Sequence, residues 1–299
     1  MSERWLWTQK QDIGPSPRLG HFMGYDPKRK RVVLFGGWVA EVPSVVPDGG
    51  TWEWDGVAWA QMADMGPSAR GRGAMAYDAR NKCFVLFGGA ERFARLGDTW
   101  IWNGDEWSQV ADMGPSARYG PSMVFDPTRE RVLLHGGADS GVLNDTWEWD
   151  GTEWQQIADT GPPRSEHALV YDNERSSVIL FGGAGGGGGL GERDTWEFRD
   201  SSWVKRQDIG PNTIGTPSAV NTGRRIVLFD GGVADRAGET WEWNGSLWTE
   251  RQNMGPSSRR WHAMAYDRDR QRTVLFGGQR HTSGAPQLLG DTWELAVLS

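Results

Sequence analysis

The sequence predicts an all-β protein, folded as a single six-bladed β-propeller over residues 1–299. Three observations lead to this prediction. A Gly-Gly pair followed by Thr-Trp recurs six times, at intervals of roughly 46 to 52 residues, which is typical of a repeat protein. The chain carries 42 glycines and 19 tryptophans and has no long apolar helical pattern, which favours short strands and tight turns. The regular spacing indicates one closed array of units rather than the two domains that the length suggests.

The repeat is defined by a few residues at fixed spacing. A second tryptophan follows the Thr-Trp tryptophan by seven positions in five copies, and a Gly-Pro pair stands seven positions further on. The Gly-Gly pairs begin at Gly36, Gly88, Gly136, Gly182, Gly231 and Gly277. The second tryptophans are Trp59, Trp107, Trp154, Trp203 and Trp248. Spacing this constant indicates structural positions.

The N-terminal residues 4–10 are predicted to complete the last repeat. Trp7 stands seven positions before Gly14, as a second tryptophan does in the other copies, whereas Trp293 is followed by only six residues. We therefore expect residues 4–10 to pair with residues 293–297. This pairing would close the ring and leave no exposed sheet edge there.

The sequence pattern predicts four antiparallel strands in each repeat. The first, such as His21–Tyr25, is followed by a polar turn, and the second, such as Val32–Phe35, is continuously apolar and is expected to be buried on both faces. The third strand is Thr-Trp-Glu-Trp, whose glutamate is expected to be solvated, and an Asp-Gly or Asn-Gly hairpin leads to the fourth. The blades are predicted at residues 21–63, 73–111, 121–158, 167–207, 216–252 and 262–298, the last completed by residues 4–10.

The Gly-Gly pair after an apolar strand, the spaced tryptophans and the opening Arg18-Leu-Gly-His21 resemble the kelch repeats of bacterial-type kelch β-propellers. The resemblance covers essentially the whole chain. It implies that the first strand is innermost and that the loop side of the ring is the side that binds partners. It implies no particular activity, because kelch propellers include adaptors, scaffolds and enzymes.

One end of the predicted propeller carries the loops after Gly-Gly and the Gly-Pro-Ser-x-Arg segments, and we call this end the loop face. The copies diverge here, and variable loops on a rigid scaffold are where binding sites are usually built. Trp38 and Phe93 lie in two of these loops and are candidates to line a ligand mouth. The alternative is that the loops fold back over one another.

One arginine recurs at the same position in five repeats, and an acidic residue recurs just before Thr-Trp. A ring of arginines could bind an anion, but pairing of each arginine with a nearby carboxylate is the favoured interpretation. Repeat one has Gly50 in place of the acidic residue, so Arg18 is predicted to be unpaired by its own repeat and free for a ligand. The recurring residues are Arg18, Arg70, Arg118, Arg164 and Arg259, with Asp98, Asp145, Asp194, Glu239 and Asp291.

Three histidines, His21, His167 and His262, occupy the same position at the head of the first strand. They could hold a metal or include a general base. Because they belong to blades one, four and six, convergence on one ion is not expected, and no metal site is predicted. His21 and His262 remain candidate catalytic bases. His135, which replaces a phenylalanine, is predicted to be a core residue.

The preferred site is the junction of repeats six and one. There Arg259, Arg260, Trp261 and His262 are expected to meet Arg18, His21 and Trp38. Aromatic, cationic and titratable groups together suit an acidic or planar ligand. The candidate ligand-binding residues are Arg18, Trp38, Arg72, Phe93, Tyr119, Glu166, His167, Arg259, Arg260 and Trp261.

These features predict a binding module that recognises a small molecule, peptide or protein through the loop face. The alternative is an enzyme with a pocket at the same mouth: an isomerase, cyclase or lyase that uses His21 or His262 as base while Arg18 or Arg259 holds an anion. No cofactor is expected. The net charge of −7 argues against nucleic acid as a partner, and no apolar stretch suits a membrane. A single cysteine, Cys83, and the lack of a signal peptide predict a cytoplasmic protein, and we expect it to be a monomer.

Overall fold

The structure is a computed structural model that describes residues 3–10, 13–41, 44–63, 65–92, 94–186, 191–212, 216–230, 236–280, 282 and 287–298. Phe93, one of the predicted mouth residues, lies outside the described residues. Within these ranges the chain forms strands and turns and contains no helix, so it is all-β. The described residues therefore include no helix that could cross a membrane.

Thirty strands occur in the described residues. The first fifteen are β1 Arg4–Gln9, β2 Arg18–Leu19, β3 Phe22–Asp26, β4 Arg31–Phe35, β5 Trp38–Glu41, β6 Ser44–Pro47, β7 Thr51–Trp54, β8 Trp59–Ala63, β9 Ala74–Asp78, β10 Cys83–Ala90, β11 Arg95–Trp102, β12 Trp107–Ala111, β13 Ser122–Asp126, β14 Arg131–His135 and β15 Thr146–Trp149. The others are β16 Trp154–Ala158, β17 Arg164–Ser165, β18 Ala168–Asp172, β19 Ser177–Phe181, β20 Ala184–Gly185, β21 Thr195–Arg199, β22 Ser202–Gln207, β23 Ser218–Asn221, β24 Ile226–Asp230, β25 Glu239–Trp243, β26 Trp248–Gln252, β27 Arg259–Arg260, β28 Ala263–Asp267, β29 Arg272–Arg280 and β30 Gln287–Leu298.

The main strands form small antiparallel sheets, one for each repeat. Sheet 1 has the order β3-β4-β7-β8, sheet 2 β9-β10-β11-β12, sheet 3 β13-β14-β15-β16, sheet 4 β18-β19-β21-β22 and sheet 5 β23-β24-β25-β26. In sheet 6, β28, β29 and β30 pair in order and β1 is the fourth strand. Strand β1 runs antiparallel to β30, with Arg4 opposite Leu298 and Gln9 opposite Trp293.

The second strand of each sheet forms the core. The side chains of Val32–Phe35 in β4 are completely buried, and those of β10 from Phe84 to Phe87 are as well. Neighbouring sheets cover both faces of such a strand, which explains why its sequence is continuously apolar instead of alternating. The prediction of strands buried on both faces is therefore confirmed.

Adjacent sheets are joined by a repeated tryptophan–threonine hydrogen bond. The indole Nε1 of Trp107 in sheet 2 donates to Thr51 Oγ1 in sheet 1, at 2.8 Å. The same bond is formed by Trp154 with Thr99, Trp203 with Thr146, Trp248 with Thr195, Trp7 with Thr240 and Trp59 with Thr292. The bond from Trp59 links sheet 1 to sheet 6. Each bond satisfies a mostly buried indole, which would cost free energy if left unpaired.

The Gly-Pro glycines fit against the same tryptophans. A Cβ atom at Gly114 would lie 2.6 Å from Cδ1 of Trp154, and one at Gly66 would lie 2.6 Å from Cδ1 of Trp107. Real Cβ atoms do not approach other atoms so closely. The fixed distance between tryptophan and Gly-Pro in the sequence therefore reflects contact between consecutive repeats, which the sequence pattern alone did not show.

One prediction about the third strand is wrong. The Thr-Trp-Glu-Trp glutamates were expected to be solvated, but Glu53 and Glu197 are buried. Each accepts hydrogen bonds from an arginine, Arg29 for Glu53 and Arg206 for Glu197. Arg29 lies in the hairpin between the first two strands, and Arg206 lies in the fourth strand. Strand pairing brings each of them close to its glutamate, and this proximity is not visible in the sequence of the repeat.

Candidate functional site

The first strands of the six sheets surround a cavity of about 220 Å³. Each first strand contacts the next in the order β3, β9, β13, β18, β23 and β28, and β28 contacts β3. The residues that precede these strands, on the side of the Gly-Gly loops, form one end of the cavity, which we call the mouth. The predicted site residues Arg72, Glu166 and Trp261 all line it.

Six residues at equivalent repeat positions form the rim of the mouth. Most are linked by backbone hydrogen bonds that run from one repeat to the next. The N–H of Gly20 donates to Trp261 O, that of Arg72 to Gly20 O, that of Gly120 to Arg72 O and that of Glu166 to Gly120 O. The N–H of Trp261 donates to Thr216 Oγ1 at 2.6 Å. The rim residues are therefore Gly20, Arg72, Gly120, Glu166, Thr216 and Trp261.

The backbone at the rim is left-handed. Gly20 and Gly120 have φ values of 63° and 66°, which glycine adopts without steric cost. Arg72, Glu166 and Trp261 are held at 58°, 57° and 56° in the same conformation. For residues with a Cβ this conformation costs roughly 1 kcal/mol or more, and such residues cluster at functional sites. Three repeats thus place a large side chain where two others place glycine.

An ion pair crosses the mouth. Arg72 Nη2 contacts Glu166 Oε1, and the side chains are 32% and 11% exposed. A Cβ at Gly20 would lie 2.9 Å from Arg72 Cγ, and a Cβ at Gly120 would lie 2.9 Å from Glu166 Cγ. The two glycines therefore leave the space over which the arginine and the glutamate extend.

Arginines and aromatic rings alternate across the mouth. Arg72 Cζ lies 4.6 Å from the ring centroid of Tyr119 and 5.8 Å from that of Trp261. Arg95 Cζ lies 5.8 Å from Tyr119, and Arg260 Cζ lies 4.2 Å from Trp261. These distances are within the range of cation–π attraction. We call Arg95, Tyr119, Arg72, Trp261 and Arg260 the arginine–aromatic series.

The series carries excess positive charge. Arg72 is paired with Glu166, whereas Arg260 donates to the neutral Oε1 of Gln279 at 2.9 and 3.1 Å. Among the ion pairs of the described residues, none involves Arg95 or Arg260. Three guanidinium groups therefore share one carboxylate, which gives this part of the mouth an excess of positive charge.

Trp38 lies at the edge of the mouth. Its strand β5 pairs with β2, with Leu19 opposite Trp38. A Cβ at Gly20 would lie 3.8 Å from Trp38 Cδ1, and one at Gly71 would clash with the same ring. The structure thus places Trp38 where repeats one and two meet, between Gly20 and Gly71, rather than at the junction of repeats six and one.

The recurring arginines pair with the recurring aspartates, as the favoured interpretation predicted. Arg70 Nη1 and Nη2 lie 2.6 and 2.9 Å from the two carboxylate oxygens of Asp98, and Trp100 Nε1 donates to the same group. Although burial acts to raise it, the pKa of Asp98 is lowered by these hydrogen bonds. Arg118 and Arg259 form the same bidentate pairs with Asp145 and Asp291, and Arg164 donates from Nη2 alone to both carboxylate oxygens of Asp194.

The prediction that Arg18 is unpaired is wrong. Arg18 is 1% exposed, and its Nη1 lies 2.9 Å from Asp48 Oδ1 and 2.8 Å from Gly36 O. Asp48 stands two positions before Gly50, so an aspartate displaced along the chain takes the role of the missing acid. Arg259 is also 1% exposed and paired. Both guanidinium groups connect loops, and neither is free for a ligand.

The three equivalent histidines line the cavity but pack against neighbouring sheets. The His21 ring lies 5.5 Å from the Phe276 ring, and the His262 ring 5.3 Å from the Phe229 ring, both edge to face. Burial lowers the pKa of His262 to about 3, with a further contribution from Arg259. Burial also holds the pKa values of His21 and His167 well below the ordinary value. These imidazoles are neutral, and their catalytic role stays a prediction.

His135 is a core residue with both ring nitrogens bonded. Its Nε2 lies 2.9 Å from the carbonyl of Pro162, which can only accept, so Nε2 carries the proton. Its Nδ1 lies 3.0 Å from Thr146 Oγ1. Burial is the main reason that the pKa of His135 falls to about 4.

In the described part of the chain, no group of three histidine, cysteine, aspartate or glutamate residues is placed to hold a metal ion.

Sequence reasoning ranked Arg72, Tyr119 and Glu166 below the junction of repeats six and one. It did not identify Arg95. A comparison of the six repeats would have shown the unusual position, since glycine stands at Gly20 and Gly120 where Arg72, Glu166 and Trp261 stand in other copies.

Comparison of the chain with protein-family models and with curated proteins found no match in either case.

Proposed function

We propose that the chain is a kelch-type β-propeller in which the six sheets are the blades of a closed ring. Three observations support this fold: the pairing of β1 with β30, the tryptophan–threonine bond between sheets 1 and 6, and the contact of β28 with β3. The buried, unpaired Cys83 is compatible with the cytoplasmic monomer that we propose.

Within this fold, the proposed function is that of a binding module that takes a small anionic ligand at the mouth. One observation carries the proposal: Arg72, Glu166 and Trp261 adopt a left-handed backbone at a position where Gly20 and Gly120 show that glycine suffices. The ion pair and cation–π contacts that these side chains make at the mouth at most offset the backbone strain, so the scaffold gains no net stability from them. A contribution to binding accounts for them.

The enzymatic alternative has less support. A general base needs access to the proton it removes, and the His21 and His262 rings are buried against phenylalanines. Arg18 and Arg259, which were assigned to hold an anion of the substrate, are instead paired with Asp48 and Asp291.

The proposal is tested by screening the wild-type protein, by thermal shift, against a panel of small acids, amines and neutral aromatic compounds. Hits are repeated with Trp261→Gly. Val57→Gly serves as the control, because Val57 is an exposed residue on an Asp-Gly hairpin outside the mouth. A ligand that stabilises the wild type and the control but not Trp261→Gly supports the proposal. The proposal would be refuted if no compound stabilises the wild type, or if every hit stabilises Trp261→Gly as much as the wild type.

A further inference from the structure

We infer that the ligand is a planar aromatic dianion, one of whose carboxylates replaces Glu166 at Arg72. This inference rests on the proposed function and specifies the chemistry of the same site. The juxtaposition behind it is a guanidinium held between two aromatic rings and neutralised by a carboxylate of the protein itself.

Arg72 explains why an anionic group is required. Its guanidinium is one-third exposed, so a ligand can reach it, and its carboxylate partner is Glu166. A carboxylate suits it because the planar guanidinium fork binds two carboxylate oxygens at once. The ligand carboxylate would make with Arg72 the same kind of contact that Glu166 makes.

Trp261 explains why the ligand is flat. Arg72 covers the Tyr119 ring at 4.6 Å but approaches the Trp261 ring only to 5.8 Å. Arg72 therefore covers the Trp261 ring more loosely than it covers the Tyr119 ring and more loosely than Arg260 does, whose Cζ lies 4.2 Å from the Trp261 centroid. An aromatic ring that enters beside Arg72 can stack on this indole.

Arg95 and Arg260 explain the second negative charge. Both belong to the arginine–aromatic series, and within the described residues neither forms an ion pair. A rigid ring with carboxylates at opposite ends places its second charge away from Arg72 and toward one of these arginines. The cavity of about 220 Å³ limits the ligand to a single ring or a small fused system.

Glu166 then acts as an internal competitor. It occupies Arg72 in the structure, and its carboxylate is only 11% exposed. A ligand carboxylate must displace it, and the displaced negative charge stays near the mouth. Removing that charge should strengthen binding of the dianion, because the competing contact and the repulsion disappear together.

The test uses benzene-1,4-dicarboxylate as the probe and isothermal titration calorimetry as the measurement. Benzoate lacks the second charge, and cyclohexane-1,4-dicarboxylate lacks the flat ring. The variants are Glu166→Gln, Arg72→Gln and Glu153→Gln, the last an exposed glutamate outside the mouth that controls for net charge. Glu166→Gly is a second variant that removes the same charge, and glycine readily adopts the left-handed backbone conformation of residue 166.

We expect the dicarboxylate to bind the wild type more tightly than either control compound. Glu166→Gln and Glu166→Gly should each tighten binding by about tenfold or more, since a charge-assisted hydrogen bond is worth at least that factor. Arg72→Gln should abolish binding, and Glu153→Gln should leave it unchanged.

Equal affinity in the wild type and both Glu166 variants would overturn the competitor role. Equal binding of the cyclohexane compound would overturn the planar ligand, and equal binding of benzoate would overturn the dianion. If the dicarboxylate binds none of these proteins, the inference about the planar dianion is refuted. The proposed function still stands in that case if the thermal-shift panel finds another ligand whose binding is lost in Trp261→Gly. If the panel finds no such ligand, the proposed function is refuted as well.

Discussion

Mild acid should destabilise the protein through its buried histidines. His21, His135, His167 and His262 are all buried, and burial lowers the pKa of each. In the unfolded chain a histidine has a pKa of about 6.5. Between that value and the folded pKa, the unfolded state binds a proton that the folded state does not, so stability falls as the pH falls.

The size of the effect follows from linkage. With folded pKa values of about 4 for His135 and about 3 for His262, the stability contribution is complete above pH 6.5 and is lost as the pH falls toward 4. At about pH 5.5 His135 and His262 each cost about 1 kcal/mol, and burial of His21 and His167 acts in the same direction. That loss is a sizeable fraction of the whole stability of many domains. The pKa values of Asp98, Asp145, Asp194 and Asp291 are lowered in the folded state, and these aspartates lose their contribution only below about pH 4.

The assay is urea denaturation at intervals from pH 8 to pH 5, which gives the free energy of unfolding at each pH. Between pH 6 and pH 5 we expect a slope that approaches two protons from His135 and His262, to which His21 and His167 add in the same direction. His135→Phe is the matched variant, because other repeats have phenylalanine there, such as Phe35 and Phe181. It should remove one proton from the slope. A free energy that stays constant down to pH 5, or an unchanged slope in His135→Phe, would refute the reasoning.

Three further predictions concern the junctions and the mouth. Thr240→Val should cost about 1 to 3 kcal/mol of unfolding free energy, because it leaves the Trp7 indole without its acceptor; an unchanged urea midpoint would contradict this. Gly114→Ala should cost about 2 kcal/mol through a clash with the next sheet, whereas Gly141→Ala, where a Cβ meets no atom within 4 Å, should change stability by less than about 0.5 kcal/mol. Trp261→Gly should leave stability within about 1 kcal/mol of wild type in the same assay, since relief of the left-handed backbone offsets the lost stacking, and a larger loss would show that Trp261 is structural.

Much of the sheet structure could be predicted because the repeat encodes it locally. Strand boundaries follow from period-two and continuous apolar patterns and from Asp-Gly turns, and six copies make each signal unambiguous. The pairing of residues 4–10 followed from the position of Trp7 relative to Gly14. What the pattern could not supply was contact between repeats, such as the fit of Trp154 against Gly114.

The site was less predictable because its geometry depends on backbone conformation and on displaced partners. Nothing local shows that Asp48 substitutes for the acid missing at Gly50, since it is brought to Arg18 by the pairing of β5 with β6. The left-handed rim is visible only when the copies are compared, because glycine occupies the position at Gly20 and Gly120 and a single non-glycine residue in that conformation has no sequence signature. Arg72 and Glu166 were therefore identified as candidates without the ion pair that joins them.

The tryptophan–threonine bond makes the repeats interchangeable. Every unit presents a tryptophan to one neighbour and a threonine to the other, as Trp107 and Thr99 do in the second copy. A copy inserted, removed or exchanged by recombination would meet compatible surfaces on both sides. Selection can therefore alter rim side chains such as that of Arg72 one copy at a time, because the tryptophan–threonine bonds do not involve them.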